Sequence, residues 1–252
     1  MADKPSEQAL KPTIIFVPFF GGKPPSLQRH FDYVESLGFS HKFVHLTFHI
    51  GKFLTKPVSA RAHRFGMKSV WADQIEKVLN ETPGKKIIFS FSNPTAGAIE
   101  AIVRRNAQDI LGLIADGGPS GEMWTSIMGY YTYERHLPTW PLRAAAAMFS
   151  AFVMEPDFKN LSQKDLSHFP DGFPVLSIRG WKDPLISPRQ IDLIFDRHQQ
   201  IKWQKLSLPE GGHLNGLRDF PNEYKTGVER FLQQITASPQ QPNPRPLESK
   251  YP

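Results

Sequence analysis

The sequence predicts an α/β domain built on a mainly parallel sheet flanked by helices, with a helical insertion. Three observations predict it. Short continuous apolar runs such as Thr13-Ile14-Ile15-Phe16-Val17 suit strands buried on both faces. Segments with apolar residues at helical spacing alternate with those runs, which calls for crossover connections. The chain of 252 residues, 12% of them aromatic, is long enough to bury a sizeable core.

The elements follow in order. Residues 1–12 form a polar lead-in, and a strand covers residues 13–17. A loop rich in Gly and Pro, Pro18 to Pro25, leads to a helix from Leu27 to Leu37 that stops at Gly38. Residues 42–48 are the next strand. Met67, Val70, Trp71, Ile75, Val78 and Leu79 mark an amphipathic helix that ends before Pro83-Gly84. A strand at 85–91, a helix at 94–105 and a strand at 110–115 follow. The rhythm breaks over 119–170 and resumes with a strand at 174–179, a helix at 188–198, a strand at 201–208 and a helix at 221–235. The core is therefore placed at 13–118 and 171–236, with a helical insertion at 119–170. A disordered tail is expected over 237–252, which holds five prolines.

Composition narrows the chemistry. The chain has no Cys, which excludes a disulfide framework, a Cys nucleophile and Cys-based metal sites. The N-terminus shows no basic start followed by an apolar core, and no apolar run reaches the ~18 residues of a membrane span. The expectation is a cytoplasmic protein without a transmembrane segment. The net charge is +6, and Ser36 to Ala72 contains no Asp or Glu but six Lys or Arg, Lys42 and Lys68 among them. This stretch reads either as a solvated basic face or as an attractor for an anionic substrate or a weak membrane-surface contact. No nucleic-acid-binding motif accompanies it. His41, His45 and His49 would share one strand face, but no carboxylate lies nearby in sequence, so no metal site is expected.

Three segments carry chemistry. Ile87 to Pro94 reads strand, sharp turn, helix, which lifts the Ser92 hydroxyl above the carboxyl edge of a parallel sheet, where ligands of such sheets bind. Leu176 to Ile186 places Asp183 a few residues beyond a strand end. Leu206 to His213 places His213 on a Gly-rich loop after the last strand. Each segment alone has a plain alternative: a helix cap, an Asp-Pro turn, one His of nine. Together, in the chain order Ser, Asp, His, they resemble the α/β-hydrolase superfamily, in particular its serine esterases, lipases and thioesterases. The resemblance covers roughly 13–235.

The resemblance implies a triad of Ser92, His213 and Asp183, acting on a carboxylic ester or thioester with an apolar part. Ser90-x-Ser92-x-Pro94 stands where the family has G-x-S-x-G. Pro94 disfavours the helical region for Asn93, so strain is expected at Asn93 or in the turn. Val17-Pro18-Phe19-Phe20-Gly21-Gly22 stands where the family often has H-G-x-x-G. Phe20 and Asn93 backbone N–H groups would then form the oxyanion hole, with Phe19 as an alternative donor and a substrate contact. No metal or cofactor is implied, and the expected partner is a small ester or thioester. Asp116, after the fourth strand, is an alternative acid. The insertion holds many aromatic and Met residues, and Trp124 and Trp140 are candidate substrate contacts in a lid over the serine. The same residues could instead glue the insertion to the core. The rival readings are a non-catalytic binding domain of the same fold, and an acyltransferase or peptidase using the same triad.

Overall fold

The computed structural model describes residues 11–47, 66–155 and 157–237. Six strands form one sheet: β1 (Thr13–Val17), β2 (His41–Phe43), β3 (Lys86–Phe91), β4 (Ile110–Asp116), β5 (Pro174–Gly180) and β6 (Lys202–Leu208). Their spatial order is β2-β1-β3-β4-β5-β6 and every pairing is parallel.

Alternation along each strand explains the continuous apolar runs. Ile15, Val17, Ile88, Leu113, Ala115 and Val175 face one core layer. Ile14, Phe16, Ile87, Phe89, Phe91 and Ile114 face the other. Both layers are buried, so these positions favour apolar side chains. The first layer is closed by α2 (Met67–Asn80), α3 (Thr95–Arg104), α6 (Phe158–Leu166) and α7 (Pro188–Phe195). The second is closed by α1 (Gln28–Ser36) and α9 (Pro221–Ala237), with Phe16, Phe89 and Phe91 stacked at 5.0–6.3 Å between them.

Between β4 and β5 the chain forms α4 (Met123–Gly129), a single π-turn at Tyr130–Glu134, α5 (Trp140–Met154) and α6. Pro141 sits in the first turn of α5, where a missing N–H costs little. A short α8 (Gly216–Asp219) precedes α9 and had no sequence signal.

Several expectations are revised. The second strand stops at Phe43 rather than reaching 48, because β2 is an edge strand with only β1 beside it. The first helix is preceded by a 3₁₀ turn at Pro24–Leu27, favoured by two consecutive prolines. His41 does meet a carboxylate: its Nδ1 lies 3.2 Å from Glu35 Oε1 while its ring stacks on Phe31. His49 and four of the six basic residues of the 36–72 stretch lie outside the described residues, as does the tail beyond Ala237.

Lys68 is not part of a solvated face. It is fully buried and bonds Glu100 at 2.6 Å and Asp165. Ser69 Oγ and Arg104 also donate to Glu100, and Arg104 reaches Glu76 at 2.9 Å. Burial works against the Glu100 charge, but Lys68 and Arg104 outweigh it and hold the carboxyl below the usual range. This network joins α2 and α3 to α6, the last helix before β5.

Candidate active site

The end of β3 is a sharp elbow. Ser92 adopts φ 57°, the left-handed region that non-glycine residues avoid. Two sets of backbone bonds hold it there. Ser92 N–H donates to Asp116 O at 2.8 Å, and Ser92 O and Asn93 O accept from Thr95 and Ala96 N–H, closing the first turn of α3. Of the two places the sequence left open for strain, Asn93 or the turn, it falls in the turn, on Ser92. Pro94 (φ −55°, ψ −16°) simply enters the helix. Only glycine fits opposite the elbow, since a Cβ on Gly118 would lie 2.3 Å from Ser92 O. Ser90 points away from the edge, fully buried, with its Oγ on Ile114 O.

His213 and Asp183 meet across two loops. The acid loop after β5 and the loop after β6 lie backbone to backbone, and a Cβ on Gly180 would be 2.4 Å from Gly211 O. Lys182 N–H donates to Gly211 O at 2.8 Å. Asp183 Oδ2 lies 2.7 Å from His213 Nδ1, while Oδ1 accepts from the Leu185 and Ile186 N–H groups at 2.8 and 2.9 Å. The carboxylate is thus buried, oriented and fully partnered.

Ser92 and His213 line one cavity of about 220 Å³. Its walls are mostly apolar: Phe20 and Leu185 from the core loops, Met67 from α2, and Ile127, Tyr130, Phe149, Val153 and Met154 from the insertion. Among the described residues neither Ser92 Oγ nor His213 Nε2 has a hydrogen-bond partner, and both residues line the cavity. Among the described residues the N–H groups of Phe20 and Asn93 find no backbone acceptor either, and both residues line the cavity.

The other expected site residues fall elsewhere. Trp124 and Trp140 do not line the cavity; they are 46% and 67% exposed. Phe19 packs against the α1/α9 core layer, and its carbonyl accepts from Gly22 N–H. Asp116 does not bond His213. It is buried and accepts from Tyr224 OH at 2.6 Å. Burial raises its pKa to about 7, against the Tyr224 hydrogen bond and the nearby His213 and with the help of Asp183. Tyr224 OH also meets His30 Nε2 at 3.2 Å.

One role had no sequence signal. The Asn93 side chain accepts from Ser120 N–H and donates to Ser126 Oγ, tying the elbow to the start of the insertion.

The arrangement of six parallel strands flanked by helices has counterparts among solved structures. The esterase Pf2001 of Pyrococcus furiosus superposes with a TM-score of 0.61 at 14% identity, over 90% of this chain and 82% of that one. This is the α/β-hydrolase fold. A hydrolase from Oleispira antarctica superposes at 0.60 with 14% identity, over 88% and 91%. A metagenome-derived lipolytic enzyme superposes at 0.59 with 15% identity, over 89% and 94%. No protein-family model and no curated protein sequence matches the chain. Within this α/β-hydrolase fold, the segment between β4 and β5 lines one side of the cavity. Among the described residues no helix is long and apolar enough to cross a membrane.

Proposed function

We propose that the protein is a serine hydrolase that cleaves a carboxylic ester or thioester with a small apolar acyl part. One observation carries the reading: a serine held at a strained strand–helix elbow shares an apolar cavity with a histidine whose Nδ1 lies 2.7 Å from a buried, oriented aspartate.

In this reading Asp183 keeps the proton on His213 Nδ1, leaving Nε2 to take the Ser92 proton as Oγ attacks the carbonyl. Negative charge then develops on the carbonyl oxygen. The Phe20 and Asn93 N–H groups are unengaged and can donate to it, and the N-terminus of α3 adds a favourable dipole. His213 returns the proton to the leaving alcohol or thiol. Water, activated by the same Nε2, releases the acyl group from Ser92. The cavity of about 220 Å³ is below the ~300–1,000 Å³ of typical drug-sized pockets, which favours short acyl groups.

A fluorophosphonate probe tests the reading. Intact mass should rise by one adduct in the wild type and not in Ser92→Ala, and Ser92→Ala should lose ester hydrolysis while keeping its melting temperature. A folded wild type that gains no mass and turns over no ester would overturn the proposal in favour of a binding domain.

A further inference from the structure

Apart from Ser92, His213 and Tyr130, the polar side chains among the described residues that line the cavity form two hydrogen-bonded pairs. Each pair leaves one proton over.

The first pair is fixed in direction by the backbone. Ser120 N–H donates to the Asn93 side chain at 3.0 Å, so the atom that it meets is the amide oxygen, Oδ1. Nδ2 therefore points the other way and donates to Ser126 Oγ at 3.1 Å. Ser126 Oγ accepts in that bond, and its own O–H proton has no acceptor among the described residues. Ser126 is buried and lines the cavity from α4.

The second pair joins the π-turn to α5. Tyr131 OH and Ser150 Oγ lie 2.7 Å apart, and both residues line the cavity. Two hydroxyls bring two protons, and the bond between them uses one. Whichever oxygen donates, the other hydroxyl keeps a proton with no acceptor among the described residues.

A buried donor without an acceptor is costly, and a ligand that supplies the acceptor removes the cost. A few such groups on an otherwise apolar wall are what a pocket uses to choose among ligands. The surplus here is in donors, so the ligand group has to accept. It also has to be uncharged. Of the described lining residues only His213 can take a positive charge, and its Nδ1 is held by Asp183. A carboxylate entering this wall would lose its hydration and gain no cation. A keto or ether oxygen meets both conditions.

We propose that Ser126 donates its hydroxyl to an uncharged oxygen on the acyl chain of the substrate, which is then an oxo- or alkoxy-acyl ester. The Tyr131–Ser150 pair offers a second donor for the same chemistry. The proposal deepens the ester hydrolysis at Ser92 and rests on it for placing the acyl chain in the cavity.

Three ethyl esters of matched chain length test it: the pentanoate, the levulinate, which adds a keto oxygen, and the methoxypropanoate, which replaces a methylene by an ether oxygen. Affinity is measured by calorimetry in the Ser92→Ala background, where nothing turns over, and kcat/KM by proton release in the Ser92 protein. The readout is the ratio of each oxygenated ester to the pentanoate within one variant, so a loss common to all three esters cancels. Ser126→Ala should lower that ratio about fivefold for at least one oxygenated ester, the worth of one ordinary hydrogen bond. Tyr131→Phe and Ser150→Ala should each change it little, because the hydroxyl that remains keeps its proton; the double variant should lower it about fivefold. If Ser126→Ala does not fold, the double variant carries the test. A ratio unchanged in the folded Ser126→Ala protein, or in the double variant where that one is unfolded, would overturn the proposal whether or not the esters are cleaved. Ratios that fall in the binding measurement while the Ser92 protein cleaves no ester would uphold the donors and overturn the hydrolase reading alone.

Discussion

Replacing Asp183 by Asn separates a catalytic carboxylate from a structural one. In the wild type, Oδ1 accepts two backbone N–H groups from Leu185 and Ile186, and Oδ2 meets His213 Nδ1. Asn has one acceptor oxygen and one NH₂. If the NH₂ took the Oδ1 position it would face two N–H donors, leaving three buried donors unsatisfied at about 1–3 kcal/mol each. The amide therefore keeps its oxygen toward Leu185 and Ile186 and turns its NH₂ to His213. A donor opposite Nδ1 forces the imidazole proton to Nε2, and the base can no longer accept from Ser92. The same tautomer change in a protease triad lowers kcat by about 10⁴, or ~5.5 kcal/mol in the barrier. The assay is kcat and KM on an acetyl or butyryl p-nitrophenyl ester, with melting temperature and near-ultraviolet circular dichroism on the same preparation. KM should change little. A fall in kcat under tenfold with the fold intact would refute the assignment, as would an equal fall in Asp116→Asn.

Three further outcomes follow from the same geometry. Across acetyl, butyryl, hexanoyl and octanoyl esters, kcat/KM should climb about fourfold per buried methylene. It should turn over early because the cavity is about 220 Å³, with Trp124→Ala and Trp140→Ala following the wild-type profile; a monotonic rise to octanoyl would show that the acyl chain lies elsewhere. Lys68→Met should cost about 3–5 kcal/mol in urea unfolding, since it removes the buried cation held between Glu100 and Asp165; a loss below 1 kcal/mol would mean that water reaches the pair. Asp116 is raised to about 7 when folded, so between its unfolded pKa and about 7 the folded state holds a proton that the unfolded state has lost, and stability falls as pH rises through that window. Asp116→Asn should flatten the curve between pH 4 and 7 by up to a few kcal/mol, read from unfolding midpoints at each pH; a curve as steep as wild type would place the titration on another group.

The sheet was readable because burial on both faces leaves strands no freedom but to be apolar throughout, as in Ile14 to Val17 and Ile87 to Phe89. The three loop segments were readable because each sits directly after such a run. Pro94 was legible as a departure, and local rules left the strain at Asn93 or in the turn; the bond that helps to hold it at Ser92, from Ser92 N–H to Asp116 O, comes from a neighbouring strand. The cavity wall was misread in its details for another reason. The segment from Leu142 to Met154 is apolar almost all round, so its periodicity has no phase. Nothing local tells that Val153 and Met154 face in while Met148 and Phe152 face out. The part played by the Asn93 side chain was invisible, because its partners lie 27 and 33 residues away.

The Lys68 cluster has a bearing on recombination between relatives. Asp165 belongs to the segment that interrupts the sheet, yet its side chain completes the charge balance of a lysine on α2. A chimera that exchanged the whole stretch between β4 and β5 for one without an acid at that position would inherit a buried ammonium short of one of its two carboxylate partners. The unit that can be traded without rewriting the core ends before α6. Natural variation in the roof of this cavity should therefore concentrate between residues 121 and 154, and covariation should tie position 165 to positions 68 and 100 in whatever lineages keep the pair.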